Sequence, residues 1–555
     1  MESVPHTPTP PKPRNRPTGE RGVETTPAVI VELMLALAGL ENSTTVLDAA
    51  LGKGEFLDAL ANIKPAPASV TAYSPDRAAV FAARDRHPAF TIERRDFLRT
   101  NRSPTFDLAI GRPPYVSWSD IPEATRAVLT GRPFWHSIAN GDWDLLYASL
   151  IWQAERLKAG GRLVVLTPST WLTASGASEL RRYLVAQGVV ETIISFGPLG
   201  LFGEASPPIV LIWRKGPVTP AEARRKVRVL EVTDRALDLA ASSSAMLADL
   251  DKITLDRAYE RARAGFRAYN RRPFEAESIW YLATPKEEAA VRALEESAAA
   301  HVSEVAEISV GPVSGSNEAF ALTPEEAAAL PRGEQPLIRH FVRAEHCRRW
   351  AVSGVAPYIF ADDITDVETF ERRYPAIYAH LVRYRSALET RYLPNNRRWW
   401  DWATVRGLSG AGASTSPQEP RGRIFVPGID RNPMSRYSFS DEPLVGLGDV
   451  LTITPRPSMR EDPRYLLAWL NSALVEQWYR IKGGRVGTRI RYSQSQVSSI
   501  PYRPIDRAKP AEIKIHDEIV RLTGELLSGT DGEKRVEAER QINQLISRLL
   551  TPAAR

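Results

Sequence analysis

Residues 46–56 read V-L-D-A-A-L-G-K-G-E-F, an apolar run that ends in an aspartate and then passes through two glycines. Gly52 and Gly54 permit a tight turn and allow a ligand to approach the backbone closely. A helix that opens after such a turn presents its first amide groups to an anionic group such as a carboxylate. Because the turn stands at the first strand-to-helix transition of an alternating segment, it favours a ligand site.

Short β-like runs alternate with helical patterns along the first 235 residues. A helical pattern begins after Thr26 and Pro27, with apolar residues at helical spacing. The β-like runs cover residues 44–47, 69–73, 90–93, 106–110, 162–166, 190–196 and 208–213. This alternation predicts an α/β fold with a mostly parallel sheet and helices on both faces.

Polar or aromatic residues follow four neighbouring strands of this predicted sheet. In an open α/β sheet, ligands bind beyond the carboxyl ends of the strands. The candidate residues at these ends are Asp48 after the first strand, Ser74 and Asp76 after the second, Asp96 and Phe97 after the third, and Arg112, Pro113, Pro114 and Tyr115 after the fourth. Each aspartate taken singly is also a typical helix N-cap. Their occurrence at successive strand ends favours one shared site.

The fourth strand runs straight into a turn, since residues 107–115 read D-L-A-I-G-R-P-P-Y. Two prolines fix the backbone dihedral φ, which makes the turn rigid and holds its carbonyl oxygens in place. Tyr115 adds a flat ring beside those oxygens. Such a turn suits a planar base with an exocyclic amine that has left its stack. The alternative interpretation is an ordinary X-Pro-Pro turn after a strand.

Composition restricts the class of protein. The chain has 555 residues, 43% hydrophobic and 25% charged, which is ordinary for a globular protein of two to four domains. No apolar run approaches the ~20 residues that cross a bilayer, and the N-terminus lacks a secretory core. The single cysteine, Cys347, excludes an internal disulfide framework and fits a reducing compartment, so a cytoplasmic protein without membrane contact is expected.

Positive charge indicates a polyanionic partner without proving one, because the net charge is +6 and the isoelectric point is near 9.2. Arginines concentrate in residues 397–400 (R-R-W-W) and 485–491 (R-V-G-T-R-I-R). Arginine binds phosphate and guanine, and aromatic rings stack on bases. A solvated arginine-rich surface is an equally good interpretation of each cluster.

The chain divides into segments of different character. We expect a disordered tail over 1–20, an α/β domain over 21–235, a mostly helical linker over 236–300, an irregular α+β domain over 301–507, and one or two amphipathic helices over 508–555. A low-complexity break at 407–422 predicts a mobile loop.

These motifs and their order resemble those of the DNA adenine-N6 methyltransferases, most closely the gamma-class, TaqI-like enzymes that accompany restriction endonucleases. The resemblance spans roughly residues 20–505. Its matching stretches are 22–27 (G-V-E-T-T-P), 48–54 (D-A-A-L-G-K-G), 96–98 (D-F-L), 112–115 (R-P-P-Y), 142–147, 160–171 and 201–202, followed by 308–320, 398–400, 470–472 and 499–501.

The resemblance implies a Rossmann-like class I methyltransferase domain and a C-terminal α+β target-recognition domain. It implies S-adenosyl-L-methionine as cofactor, double-stranded DNA as substrate and a separately encoded cognate restriction endonuclease, with no metal. The implied cofactor-binding residues are Thr26, Pro27, Asp48, Ala50, Gly52, Gly54, Ser74, Asp76, Asp96 and Phe97. The implied catalytic residues, which would hold a flipped adenine, are Arg112, Pro113, Pro114, Tyr115 and Phe202.

Two positions depart from the family pattern. The family has Asn, Asp or Ser at the position of Arg112, where an oxygen accepts a hydrogen bond from the adenine amine. Arg112 has only donors and stays protonated, and a fixed cation there disfavours a nitrogen that becomes cationic. The family usually has Asp or Glu at the position of Ser74, to bind the cofactor ribose, and Asp76 is the candidate to replace it.

These observations lead first to an active, site-specific adenine-N6 methyltransferase that protects DNA from its restriction enzyme. Arg112 and Ser74 keep a second hypothesis open, a methyltransferase-fold DNA-binding protein with impaired catalysis. A cytosine-N4 or RNA methyltransferase is a third hypothesis, which the motif order and the long C-terminal region fit less well.

Overall fold

The structure of the chain is a computed structural model. It describes residues 25–100, 105–116, 118–131, 144–202, 207–394, 397–406, 422–432, 434–486, 489–529 and 532–550. The predicted tail over 1–20, residues 22–24 and 142–143 of the family-like motifs, and the low-complexity residues 407–421 lie outside this part of the chain. The chain forms two compact units, Met1–Trp280 and Tyr281–Arg555, which are called the N-terminal and C-terminal units below.

The N-terminal unit alternates strands with helices, as the hydrophobic pattern predicts. Its strands are β1 (Thr45–Asp48), β2 (Ser69–Ser74), β3 (Thr91–Arg94), β4 (Phe106–Gly111), β5 (Leu157–Pro168), β6 (Gly188–Ser195), β7 (Pro208–Lys215), β8 (Val227–Val232), β9 (Glu260–Arg263) and β10 (Phe266–Arg271). Its helices are α1 (Ala28–Ala38), α2 (Glu55–Asn62), α3 (Arg77–Arg86), α4 (Glu123–Thr130), α5 (Leu145–Arg156), α6 (Ser178–Gln187), α7 (Pro220–Ala223) and α8 (Leu239–Asp251).

These strands form one sheet in the order β3-β2-β1-β4-β5-β7-β6-β8-β10-β9. Strands β3, β2, β1, β4 and β5 pair in parallel, and Val46 of β1 lies opposite Leu108 of β4. Strand β7 enters antiparallel between β5 and β6, and β10 and β9 add an antiparallel edge. The predicted parallel arrangement is therefore confirmed for β1 to β5, whose carboxyl ends share one edge.

Both faces of the central strands are buried. Successive strand residues point to opposite faces. Val46 and Leu108 belong to the same apolar core as Ile30 of α1, while the next residues along the two strands, Leu47 and Ala109, are buried on the other face. Burial on both faces explains why these strands read as continuous apolar runs rather than as alternating ones.

The segment over 236–300 differs from the predicted helical linker. Strands β9 and β10 extend the ten-stranded sheet, and Met246 and Leu250 of α8 lie in the core of the N-terminal unit. Strand β9 has the sequence E-R-A-R and is exposed along its length, so it shows no hydrophobic alternation. Its β structure depends on pairing with β10, which a local pattern does not reveal.

The C-terminal unit mixes short helices with small sheets, as the α+β prediction requires. Its helices are α9 (Pro285–Ser297), α10 (Val302–Val305), α11 (Asn317–Phe320), α12 (Pro324–Ala329), α13 (Val367–Arg373), α14 (Pro375–Val382), α15 (Arg385–Thr390), α16 (Pro463–Leu470), α17 (Ala473–Lys482), α18 (Gln494–Ser498), α19 (Pro510–Leu527) and α20 (Glu533–Leu550). Its strands are β11 (Ala300–His301), β12 (Ala306–Val310), β13 (Ile338–Val342), β14 (Trp350–Ala351), β15 (Ala356–Ile359), β16 (Arg423–Pro427), β17 (Ile429–Asp430), β18 (Ser438–Ser440), β19 (Val445–Gly446), β20 (Val450–Pro455), β21 (Gly484–Val486), β22 (Arg489–Arg491) and β23 (Pro501–Tyr502).

The two last helices belong to the core of the C-terminal unit. Ile519 of α19 and Ile542 of α20 share one apolar cluster with Ile308 of β12 and Ile453 of β20. Strands β12 and β20 pair within a five-stranded sheet of order β12-β20-β16-β18-β14. Residues 508–550 are thus integral to this unit. No helix in the described part of the chain is long and apolar enough to span a membrane.

Candidate active site at the carboxyl edge of the sheet

The glycine turn after β1 is held open by its backbone conformation. Gly52 and Gly54 have φ values of 57° and 93°, a region that residues with a Cβ rarely adopt. The amide of Thr26 donates to Oε1 of Glu55, the first residue of α2, over 3.2 Å. Thr26 is itself buried, and Pro27 directly precedes α1. The backbone at Thr26 is therefore held beside the first residue of α2, directly after the glycine turn.

Asp48 is the only one of the three strand-end aspartates 48, 76 and 96 that does not cap a helix. Its side chain is fully buried, and its Oδ1 accepts a hydrogen bond from the amide of Ala50 over 3.1 Å. Burial raises the pKa of this carboxyl to about 7, against the lowering effect of the Ala50 amide, and the nearby Glu55 charge raises it further. Its Oδ2 is buried without a hydrogen-bond partner in the described structure, which is costly unless a ligand group completes the site.

The other two aspartates act locally as caps. Oδ1 of Asp76 accepts from the amide of Ala78 at the start of α3, and Oδ1 of Asp96 accepts from the amide of Leu98. The hydroxyl of Ser74 accepts from the amide of Asp76. The N-cap interpretation thus applies to Asp76 and Asp96, although both remain at the edge where β2 and β3 end.

Phe97 lies on the apolar side of this edge. The ring is buried, and the Phe97 carbonyl oxygen accepts a hydrogen bond from the indole N–H of Trp152 in α5 over 2.6 Å. The contact fixes the backbone that follows Asp96. Phe97 therefore contributes a buried apolar ring on a fixed backbone at this edge.

The ends of β1 and β4 lie side by side. Gly111, the last residue of β4, has a φ of 152°, and a Cβ placed there would lie 3.1 Å from Oδ1 of Asp48. The next residue is Arg112, which opens the predicted base-holding turn. The structure thus places the last residue of β1 beside the residue that leads into the Arg112–Tyr115 turn.

Beyond Gly111, three predicted catalytic residues come together. The guanidinium of Arg112 lies over the ring of Phe202, 4.1 Å from its centroid, and also faces the ring of Tyr115 at 5.6 Å. Nη2 of Arg112 donates a hydrogen bond to the Tyr115 hydroxyl over 2.7 Å. Pro113 is buried and Pro114 is half-buried. A cation–π contact thus joins Arg112 to Phe202, two residues that are distant in the sequence.

Asp144 is a residue of this site that the sequence analysis did not single out. Its Oδ1 accepts hydrogen bonds from the amides of Val116 and Leu146, and the amide of Leu145 donates to the Val116 carbonyl. Burial raises the pKa of Asp144 despite these two amides. The carboxylate anchors the chain directly after Tyr115. Its position before an apolar helical run is a recognisable N-cap pattern.

The two arginine clusters differ in structure. Nη1 of Arg397 pairs with Asp362 over 2.6 Å, Arg398 pairs with Asp401, and Trp400 is buried. The two guanidinium groups of this cluster are therefore partly buried and engaged by carboxylates of the same unit. In β22, by contrast, Arg489 and Arg491 are exposed on either side of Ile490. Of the described His, Cys, Asp and Glu residues, no three or more form a group suited to a metal ion.

Comparison with known proteins identifies the family. Residues 78–202 match the Eco57I restriction-modification methylase family. The Type II methyltransferase M.MjaIV of Methanocaldococcus jannaschii is 32% identical over 245 residues, which are 44% of this chain and 78% of that protein. This chain belongs to the Type II restriction-modification methyltransferases.

Two further comparisons cover nearly the whole chain of this Type II methyltransferase. M.HindII of Haemophilus influenzae, also a Type II methyltransferase, is 25% identical over 527 residues, or 91% of this chain and 94% of that protein. The solved structure of the Type IIL restriction-modification enzyme MmeI in complex with DNA matches with a TM-score of 0.59 at 12% identity, covering 94% of this chain and 72% of the other. The sheet of the N-terminal unit is that of a class I methyltransferase.

The cofactor of this fold is S-adenosylmethionine, and the residues at the edge fit it. The buried Oδ2 of Asp48 lacks a partner and can accept a hydrogen bond from a cationic amino group such as the one on the methionine part of the cofactor. The positive φ values of Gly52 and Gly54 keep side chains out of the turn. The carboxyl edge of the sheet therefore combines an unpaired acceptor, Oδ2 of Asp48, with a glycine turn whose backbone a ligand can approach.

Proposed function

We propose that this Type II methyltransferase is a DNA adenine-N6 methyltransferase. It transfers a methyl group from S-adenosylmethionine to an adenine flipped out of double-stranded DNA, and it thereby protects the DNA from a separately encoded restriction endonuclease. The cofactor would lie along the ends of β1, β2 and β3, near Thr26, Asp48 and Asp96. The base would lie at the turn after β4.

The contact between Asp48 and Gly111 carries this proposal. It brings Oδ1 of Asp48, the last residue of β1, within 3.1 Å of the place that a Cβ would occupy on Gly111, the residue before Arg112. Methyl transfer needs donor and acceptor atoms in line and in near contact, and positioning of this kind supplies much of the rate enhancement. Two sites on opposite edges of the sheet would not meet this requirement.

The residues of the turn have separate roles in the proposed reaction. Tyr115 and Phe202 hold the faces of the extruded base, whose unstacking costs a few kcal/mol. The Pro113 carbonyl accepts a hydrogen bond from the exocyclic amine and orients its lone pair. When bound, the cofactor supplies an electrophilic methyl group on a sulfonium. Transfer would replace the C–S bond of the methyl group by a C–N bond, and the amine would then lose a proton to water.

A second function is supported by Arg112. Its guanidinium stacks on Phe202 and binds the Tyr115 hydroxyl, so the proposed base position is filled by a cation with no acceptor group. If Arg112 never leaves, the protein binds DNA without modifying it. The two functions differ in one observable, the appearance of methylated adenine.

The test is incubation of the full chain with isotopically labelled S-adenosylmethionine and genomic DNA, followed by digestion to nucleosides and mass spectrometry. The proposal expects the label in N6-methyladenine, and long-read sequencing of the same DNA then gives the methylated site. Calorimetric titration with S-adenosylhomocysteine serves as the control for a folded cofactor site.

Other outcomes would contradict the proposal. Label in N4-methylcytosine would show that the base class is wrong. Cofactor binding without any label would favour the DNA-binding function with impaired catalysis.

A further inference from the structure

Arg112 is half-buried and lies between two rings rather than in solvent. Phe202 is only 7% exposed and otherwise belongs to the apolar core of the N-terminal unit. The guanidinium lies over this ring, 4.1 Å from its centroid, and its Nη2 is fixed by the Tyr115 hydroxyl at 2.7 Å. The guanidinium therefore covers one aromatic ring and is held by a hydrogen bond from one of its nitrogens to a second residue.

A flipped purine would need the same place. Stacked aromatic pairs have centroids about 4.5–7 Å apart, so a guanidinium at 4.1 Å from Phe202 leaves no room for a base on that face. We propose that Arg112 is a plug, which occupies the base position in the DNA-free protein and must be displaced when adenine enters. This inference rests on the proposed function and adds a residue that sets the affinity for the base.

The plug has a defined thermodynamic consequence. A protein whose binding-competent state is only partly populated binds its ligand more weakly by that fraction. The plugged state is stabilised by contacts that include the cation–π contact with Phe202 and the hydrogen bond to the Tyr115 hydroxyl. These contacts are lost equally whether the base is bound in the ground state or in the transition state. Arg112 should therefore raise KM for DNA, with a smaller effect on kcat.

The experiment is steady-state methylation of plasmid DNA by the full chain and by Arg112→Ala. Loss of the cation–π contact should lower KM for DNA by about tenfold. Removal of an arginine ordinarily weakens binding to DNA, so a lower KM cannot come from the lost charge. Arg112→Asn is the second variant, and titration with S-adenosylhomocysteine shows that each variant is folded.

Two matched variants sharpen the result. Tyr115→Phe keeps the ring but removes the hydroxyl that accepts from Arg112, so KM should fall by about threefold. Arg126→Ala removes an arginine that lies over a different ring, that of Trp118, at 5.8 Å, and KM should not fall.

The possible outcomes separate the plug from the proposed function. If the wild type is inactive and Arg112→Ala is active, the result supports the plug and shows that Arg112 blocks the base position completely. An active wild type with an unchanged or raised KM in both Arg112 variants would overturn the plug alone. If no variant methylates DNA while all bind cofactor, the proposed function fails and the plug fails with it.

Discussion

The two ends of the candidate site, at β1 and at β4, agree with the family pattern to different degrees. At the end of β1, the buried Asp48 and the two left-handed glycines form the open turn that the family pattern implies. At the end of β4, the Pro-Pro-Tyr turn is retained, but Arg112 stands where an oxygen acceptor was expected, and it stacks on Phe202.

The difference shows that a fold can retain its geometry while the chemistry of one position changes. The strand ends are fixed by the parallel pairing of β1 with β2 and β4, which depends on buried apolar side chains. The side chain at residue 112 lies beyond the end of β4 and takes no part in that strand pairing. The residue at position 112 can therefore change without destabilising the sheet. The β1 end and the β4 end can accordingly be tested by separate variants.

The largest effect is expected at the β1 end. Asp48→Asn removes a buried charge that the cofactor amino group would pair with, so affinity for S-adenosylmethionine should fall about a hundredfold. Isothermal titration calorimetry measures this affinity. Asp107→Asn is the matched control, because Asp107 lies near the start of β4 at the opposite edge and pairs there with Lys158 and the Thr45 amide. Equal losses of affinity in both variants would show that Asp48 does not bind the cofactor.

The pKa of Asp48 predicts a pH dependence of stability in the cofactor-free protein. Its pKa is raised by burial from 3.8 to about 7, so the folded state holds the proton more tightly than the unfolded state. Stability should therefore fall as pH rises from about 4 to about 7 and then level off.

Chemical denaturation measures this dependence. Between about pH 5 and about pH 7, wild type should lose about 2 kcal/mol more than Asp48→Asn, since one pKa unit corresponds to about 1.4 kcal/mol. Identical pH profiles for the two proteins would show that Asp48 is ionised normally in the fold.

At the β4 end, Tyr115→Ala should lower kcat/KM for DNA about tenfold, because base–aromatic stacking contributes about 1–3 kcal/mol. DNA binding measured by fluorescence anisotropy should change much less, since the phosphate contacts remain. A loss of DNA binding as large as the loss of methylation would place Tyr115 in the duplex interface instead.

The smallest effect is expected in the C-terminal unit, where the two arginine clusters form a matched pair. The double variant Arg489→Ala and Arg491→Ala should weaken DNA binding severalfold and reduce the slope of log affinity against log salt by about two. Arg397→Ala should leave that slope unchanged, because its guanidinium is paired with Asp362. The reverse pattern would show that the cluster over 397–400 is the one that meets DNA.

The sequence predicts the helices and strands more reliably than their partners. The alternation of apolar runs locates β1 to β7, and the strand ends lead directly to Asp48 and Tyr115. The antiparallel entry of β7 could not be predicted, because it depends on pairing between distant segments. Strand β9 could not be predicted because it is an exposed edge strand without hydrophobic alternation. Local patterns also did not show that Arg397 is held by a carboxylate, since its partner Asp362 lies 35 residues earlier and meets it only in the folded chain.

The central claim is that methyl donor and base meet over the ends of β1 and β4. A crystal structure of the full chain with S-adenosylhomocysteine and a duplex containing the methylated site tests it most directly. We predict that the cofactor lies against Asp48 and the Gly52–Gly54 turn. The extruded adenine should stack on Phe202, and Arg112 should be displaced from that ring. A cofactor bound elsewhere, or an adenine still stacked in the duplex, would contradict it.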